Sequence, residues 1–250
     1  MKTLGLIPSR LASTRLKNKP LLKIKDMPIV IHTYKRALMS KKLDDLFICC
    51  DDVEIKKICE HYGAKSILTS KKHTNGTERI GEGYKKLKKK YDLNVDIQGD
   101  EPLINPSHID QVIDFHSKNK NTDIILPTLK SNNYAGKHVV NVLKTEKNDV
   151  IYLSRGNLPF QFKTKNSLYY KHLSIISFTP SSLKKFCESK QTFLEKIEGI
   201  ELLRAIELNM KIKTLLLKGD SFSVDVKKDF IKAKKFILKD NISKKYLKNE

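Results

Sequence analysis

The sequence predicts an α/β protein built on a mostly parallel sheet flanked by helices, with a small antiparallel extension. Short apolar runs alternate with helical periodicity as far as the helix that starts at Pro106. From Asp123 to Phe178 strand-like runs follow one another with no comparable long helix between them. At 250 residues the chain can bury one sizeable core, so 1–250 reads as a single domain, with an extension inserted at about 130–190.

The first strand is Leu4 to Ile7, which ends at Pro8 and gives way to a polar loop, Ser9 to Lys19. Apolar periodicity returns from Pro28 to Leu38, with Pro28 suited to a first helical turn, where a missing N–H costs nothing. The next strand, Leu46 to Cys50, stops at Asp51-Asp52, which can cap a helix running to His61 and closed by Gly63. A strand from Lys65 to Thr69, a helix from Glu78 to about Lys90 and a strand from Leu93 to Gln98 continue the alternation. In the extension the expected strands are Ile124 to Leu129, Val139 to Leu143, Val150 to Leu153 and Tyr169 to Phe178. Phe193, Leu194, Ile197, Ile200, Leu203 and Ile206 then form a stripe at helical spacing that reads as core. A strand from Ile212 to Leu217 and a last amphipathic helix with a frayed Lys-rich tail complete the chain.

Lys and Arg number 49 against 28 Asp and Glu, a net charge of +21 that suits nucleic acid, an anionic membrane or a phosphorylated small substrate. The run at Lys85, Lys86, Lys88, Lys89 and Lys90 reads as a solvated helix face. There is no RNA-recognition motif, zinc finger or basic stripe interleaved with aromatics, and no Trp, so a nucleic-acid partner is not expected and a basic nucleic-acid-binding protein stands only as the reading from another class. Cys49, Cys50, Cys59 and Cys187 show neither a C-x-x-C pair nor a disulfide-like spacing, which fits a reducing cytoplasm. The apolar start before Pro8 and Arg10 is too short for a signal-peptide core, and no segment has the length of a membrane span, so membrane insertion is not expected.

Ligands of open α/β sheets bind beyond the carboxyl ends of the strands, which directs attention to three segments. Ser9 to Pro20 carries Arg10, Arg15, Lys17 and Lys19 among small hydroxyl residues such as Ser13, a composition able to wrap a polyphosphate or to be a plain basic loop. Gln98-Gly99-Asp100-Glu101-Pro102 ends a strand, and Asp225 is another strand-end carboxylate; either Asp alone is a common turn residue, but together they can hold Mg²⁺ against phosphate. His73-Thr74-Asn75-Gly76-Thr77-Glu78-Arg79 opens a helix that Asn75 or Thr77 can cap, and Gly76 lets backbone approach a ligand. No P-loop, G-x-G-x-x-G, nucleophilic Ser-His-Asp set or zinc-like spacing is present.

Taken in order, these segments resemble the 3-deoxy-manno-octulosonate (Kdo) cytidylyltransferases almost end to end. The residues that carry the resemblance are Ile7 to Arg10, Ala12 to Leu16 including Thr14, Lys19 to Leu21, Gly76 to Arg79 and Gln98 to Pro102. Tyr152 to Arg155, Leu158 to Phe160, Lys171 to Leu173, Leu194 to Glu198, Glu201, Leu203-Arg204 and Val224-Asp225 continue it. The resemblance implies a Rossmann-like nucleotide-diphospho-sugar transferase fold, a homodimer, CTP and Mg²⁺. It implies that Arg10 and Lys19 grip the triphosphate with help from Arg15, that Ser9, Ser13, Asn75, Gly76, Thr77 and Arg79 belong to the CTP site, and that Asp100 and Asp225 hold the metal. Arg10, Lys19, Asp100 and Asp225 are then the catalytic set, and Gln98, Arg155, His172, Glu198 and Glu201 face the acidic 3-deoxy sugar. Two stretches depart from the family pattern, His172-Leu173-Ser174-Ile175-Ile176-Ser177-Phe178 and Glu201-Leu202-Leu203-Arg204, so an amino-substituted Kdo stands beside Kdo as the acceptor.

Overall fold

The computed structural model describes residues 1–13, 15–132, 134, 136, 139–163 and 168–247; Thr14 of the N-terminal motif lies outside them. The chain divides into two units, one made of Met1–Asp110 with Ser221–Glu250 and the other of Gln111–Asp220. In sequence, the second is an insertion in the first.

The first unit starts with β1 (Thr3–Ser9), buried along its whole length. A strand covered on both faces has no use for polar alternation, and Leu4, Leu6 and Ile7 are fully buried accordingly. A single 3-10 turn at Lys19–Leu21 leads to the two-residue strands β2 (Lys23–Ile24) and β3 (Met27–Pro28), which pair antiparallel. α1 (Ile29–Ala37) follows with Pro28 at its cap rather than inside its first turn. β4 (Asp45–Cys50), α2 (Val53–His61), β5 (Ser66–Leu68), α3 (Gly76–Leu87), β6 (Leu93–Ile97) and α4 (Pro106–Lys118) continue the rhythm, α4 crossing into the second unit. The Asp52 carboxylate caps α2 by accepting from the Glu54 N–H, and Gly63, at φ 66°, lets the chain turn away after it. The strands lie in the order β6-β1-β4-β5, all parallel. α3 ends earlier than its periodicity suggests: Lys88 is left-handed at φ 51°, so Lys88, Lys89 and Lys90 lie past the helix and only Lys85 and Lys86 ride on it.

The second unit holds β7 (Ile124–Ile125), β8 (Thr128–Ser131), β9 (Asn141–Lys144), β10 (Val150–Ser154), β11 (Tyr169–His172) and β12 (Ile175–Phe178). After them come α5 (Pro180–Glu188), α6 (Phe193–Glu198), α7 (Leu203–Glu207), β13 (Ile212–Lys213) and β14 (Leu216–Leu217). One group runs β13-β7-β12 and the other β10-β9-β11-β8-β14. Three segments expected as single strands, 124–129, 169–178 and 212–217, are therefore each split between two groups. At the first split Leu126 and Thr128 donate to the carbonyls of Lys213 and Leu215, while Pro127 between them has no N–H to give.

The stripe from Phe193 to Ile206 is likewise not one buried helix. Gly199 at φ 62° ends α6, and Phe193 and Ile197 are 71% and 65% exposed. Of the stripe, Ile200 and Leu203 are buried as expected, but Glu195 and Arg204 are buried as well, the arginine fully enclosed with its Nε and Nη2 each 2.7 Å from a Glu195 carboxylate oxygen and its guanidinium over the Phe186 ring. An ion pair between residues outside the apolar stripe is thus buried, while two of the stripe's own members are exposed.

The chain then returns to the first unit as α8 (Lys227–Lys239) and α9 (Asn241–Leu247). These are two helices where one was expected, because Asp240 is extended and turns its carboxylate to the Ser243 N–H. Ala233 and Ile237 pack on Ile24, Ile29 and Val224. Arg36 ties the return in place, its Nη1 donating to Asp240 at 2.5 Å and its Nε to the Ile104 carbonyl at 2.6 Å. His32 donates and accepts between Tyr246 and the Ile24 carbonyl, and burial pushes its pKa down to about 4.

Candidate active site

The polar loop after β1 is rooted before it is functional. The Leu11 N–H donates to Asp51 Oδ1 at 3.0 Å, and the other Asp51 oxygen meets Arg79 Nη2 at 3.4 Å. Arg79, only 2% exposed, also donates to Thr69 Oγ1 and the Ser70 carbonyl. It thus fixes the loop from inside, while Arg10 is exposed and Ser13 half-buried. Ser9 is buried at the strand end, and its hydroxyl has no hydrogen-bond partner among the described residues.

Gly99 lets β1 and the end of β6 come close, since a Cβ there would stand 2.7 Å from the Pro8 carbonyl oxygen. Immediately after it, Asp100 Oδ2 accepts from Lys19 Nζ at 2.6 Å. The same ammonium lies 3.2 Å from Asp225 Oδ1, and Arg15 Nη2 reaches that oxygen at 3.0 Å. Two carboxylates far apart in sequence are thereby gathered around the Lys19 ammonium beyond the carboxyl end of β6, with Asp225 not at a strand end as expected but in the irregular segment before α8. The main chain enforces the meeting: the Val224 N–H donates to the Asp100 carbonyl at 2.9 Å. Ser221 Oγ donates to Glu101 and Ser223 Oγ to the second Asp225 oxygen. Burial alone lowers the Lys19 pKa and raises that of Asp225, but the neighbouring opposite charges and hydrogen bonds more than offset it. Lys19 therefore sits above its ordinary value, with Asp100 and Asp225 beside it, and Asp225 below, with Lys19 and Arg15 beside it.

Asn75 caps α3, its side chain accepting from the Glu78 N–H at 2.8 Å, while Thr77 is buried. A Cβ on Gly76 would lie 3.1 Å from Gln98 Nε2 and 3.2 Å from Pro8 Cγ, so the start of α3 abuts the ends of β1 and β6. Gln98 itself donates to Asp96 at 2.9 Å. In the second unit Glu198 receives Ser154 Oγ at 2.7 Å and the Arg155 N–H at 3.0 Å, and Arg155 Nε donates to the Glu198 carbonyl. Arg155 and Glu198 are thus held together at the end of β10. Glu201 is half-buried just before α7; His172 is half-buried too, with its Nε2 enclosed and its pKa pushed down to about 4 by burial and then by the Lys171 and Arg155 charges.

Among the described residues no three or more His, Cys, Asp or Glu side chains cluster as a metal cage. Asp100 and Asp225 nonetheless fit Mg²⁺, which is commonly held by one or two carboxylates and completes its shell with water and substrate phosphate. The spot between them already accommodates a positive charge, that of Lys19.

A cytidylyltransferase family profile matches residues 4–212. A 3-deoxy-manno-octulosonate cytidylyltransferase of Thermodesulfovibrio yellowstonii is 38% identical over 94% of this chain and 98% of its own length. The chain belongs to the Kdo cytidylyltransferase family. An 8-amino-3,8-dideoxy-manno-octulosonate cytidylyltransferase of Shewanella oneidensis is 34% identical to this family member, over 94% of this chain and 98% of the relative. Among solved structures, a CMP-2-keto-3-deoxy-manno-octonic acid synthetase in complex with CTP superposes with a TM-score of 0.90 at 26% identity, covering 96% of this chain and 99% of the other.

Sequence reasoning passed over Asp51, reading it only as the stop of β4. The available signal was the doubled acid: Asp52 alone suffices to cap α2, which leaves Asp51 for another task. Arg36 and Ser221, which brace the same end of the unit, carry no motif that would single them out, and Glu101 stands within the 98–102 motif without any local sign that it accepts from Ser221.

Proposed function

We propose that this chain transfers CMP from CTP to the anomeric hydroxyl of Kdo, giving CMP-Kdo and pyrophosphate. The observation that carries the reading is the Lys19 ammonium shared between Asp100 and Asp225 beside Arg15, in a chain 38% identical to a Kdo cytidylyltransferase. Arg10, Arg15 and Lys19 bind the triphosphate, with Ser9 and Ser13 supplying hydroxyl donors from the same loop. The start of α3, from Asn75 through Gly76 and Thr77, lies against the nucleoside, with Arg79 fixing the loop beneath. The family resemblance assigns the sugar to Gln98 in the first unit and to Arg155, His172, Glu198 and Glu201 in the second. The sugar hydroxyl oxygen bonds to the α-phosphorus in line as the α–β phosphoanhydride bond breaks, and its proton passes to solvent or to the leaving pyrophosphate. Positioning and charge stabilisation by this chain's cations do most of the work. Asp100 and Asp225 would hold a magnesium ion, which would supply further neutralisation of phosphate charge.

The test is pyrophosphate release from CTP with Kdo, 8-amino-Kdo and a sialic acid as acceptors, with and without chelator. Release with Kdo that chelator abolishes is the expected result; release with the 8-amino sugar alone transfers the assignment to the second relative's substrate, and release with none removes it. We also propose a cytoplasmic homodimer that feeds lipopolysaccharide or capsule synthesis. Support for the dimer comes from the second unit, where Ile151, Phe160, Phe162, Phe193 and Ile197 are all exposed. Sedimentation equilibrium should give twice the chain mass, and Phe160→Ser with Phe162→Ser should weaken the association. Among the described residues no helix is long and apolar enough to cross a membrane.

A further inference from the structure

The last long helix carries an apolar surface that the catalytic reading does not use. Ala233 and Ile237 turn α8 inward, yet Ile231 and Leu238 are 48% and 53% exposed. Seven residues apart, they share the outward face of the helix. Lys227, Lys228, Lys234 and Lys235 stand three or four positions from Ile231 and flank it, with Lys232 and Lys239 farther round. None of these lysines is in an ion pair among the described residues, and Asp229, the one acid of α8, is taken up by the Asp225 and Val226 N–H groups.

We propose that this face of α8 docks on an anionic lipid bilayer, so that the enzyme lies on the membrane surface without spanning it. An amphipathic helix of low overall hydrophobicity, with lysines rimming exposed aliphatic side chains, matches the interface between headgroups and acyl chains. Lysine stems run along apolar surface while their ammonium groups reach phosphate, so one face satisfies both layers of the lipid. Nucleic acid would engage the lysines and leave Ile231 and Leu238 in water. A second copy packed symmetrically on this face would set lysine against lysine. Charge complementarity to an anionic leaflet accounts for the apolar and the basic side chains together.

The experiment is co-sedimentation of the full chain with vesicles of phosphatidylcholine alone and with vesicles that also contain phosphatidylglycerol. Binding should favour the anionic vesicles at least tenfold and weaken as salt is raised. Ile231→Ser with Leu238→Ser, both exposed, should reduce that binding roughly tenfold or more with the circular dichroism spectrum unchanged. Lys235→Gln with Lys239→Gln should reduce it as well, each lysine contributing roughly fivefold. Removing the same charge elsewhere, by Lys88→Gln with Lys90→Gln, should leave most of it. Equal binding to both vesicle types, no binding to either, or indifference to the Ile231 and Leu238 changes overturns the proposal. So does tighter binding to duplex DNA that the same variants impair. The readout is lipid binding, so these outcomes are independent of which sugar the enzyme accepts.

Discussion

In the first unit Lys19 divides its ammonium between Asp100 and Asp225 and stays 18% exposed, whereas in the second Arg204 gives two nitrogens to Glu195 and is exposed to nothing. Both are cations facing carboxylates, but the settings differ in what the groups are free to do. A shared point charge at a sheet edge can exchange partners when phosphate arrives, at little cost, because water still solvates the groups it leaves. A planar guanidinium locked in a bidentate pair, with carbonyls of Phe186 and Ser189 on its remaining edge, cannot be released without stranding a buried charge. Charge pairing alone therefore does not mark a site; accessibility and unequal sharing do.

The difference is sharpest under substitution. Arg204→Met should cost about 3–5 kcal/mol in urea unfolding, because Glu195 is left buried and unpaired, and adding Glu195→Leu should return part of that loss. Recovery of nothing by the double variant would mean that packing, not the ion pair, holds this corner. Asp100→Asn should do the reverse, lowering pyrophosphate release on the order of 10²–10³-fold while moving stability by about 1 kcal/mol or less. Undiminished turnover in saturating Mg²⁺ would break the comparison outright.

Acid separates two parts of the first unit itself. His32 is buried neutral with its pKa near 4, against 6.5 when exposed. Between those values the unfolded chain binds a proton that the folded chain does not, so folding stability falls as pH drops from 6.5 toward 4. The loss is on the order of 3 kcal/mol, and urea midpoints measured across that window should follow it, with His32→Gln flattening the curve. Asp225 should keep its charge, and its contacts with Lys19 and Arg15, over the same range, because it titrates below its ordinary value. Smallest of all, Asn75→Ala should cost about 1 kcal/mol by uncapping α3, which thermal unfolding can resolve.

How much of this was written plainly in the chain depended on which interactions were local. The strand and helix rhythm through β6 was legible because each buried strand needs an apolar run and each helix its own cap, as at Asp52 and Asn75. The extension was legible only as a strand-rich region. Whether 124–129 forms one strand or two depends on Pro127 and on partners near residue 213, which periodicity does not contain. Phe193 and Ile197 misled for a related reason: apolar spacing shows a face but not whether this chain covers it. At the candidate site, Asp100 and Lys19 stood out by position after strands and by family resemblance. The rooting of the loop through Asp51 and Arg79 was hidden, since it is a contact across the sheet between residues with ordinary local roles.

The hydrogen bond from the Val224 amide to the Asp100 carbonyl also bears on biosynthesis. A ribosome has to emit the whole insertion before the segment bearing Asp225 can reach its partner, so a nascent chain stopped at residue 220 holds Lys19 and Asp100 but lacks the second acid. On the proposed assignment of Asp225, competence arrives late and all at once, and incomplete translation products are silent rather than partly active.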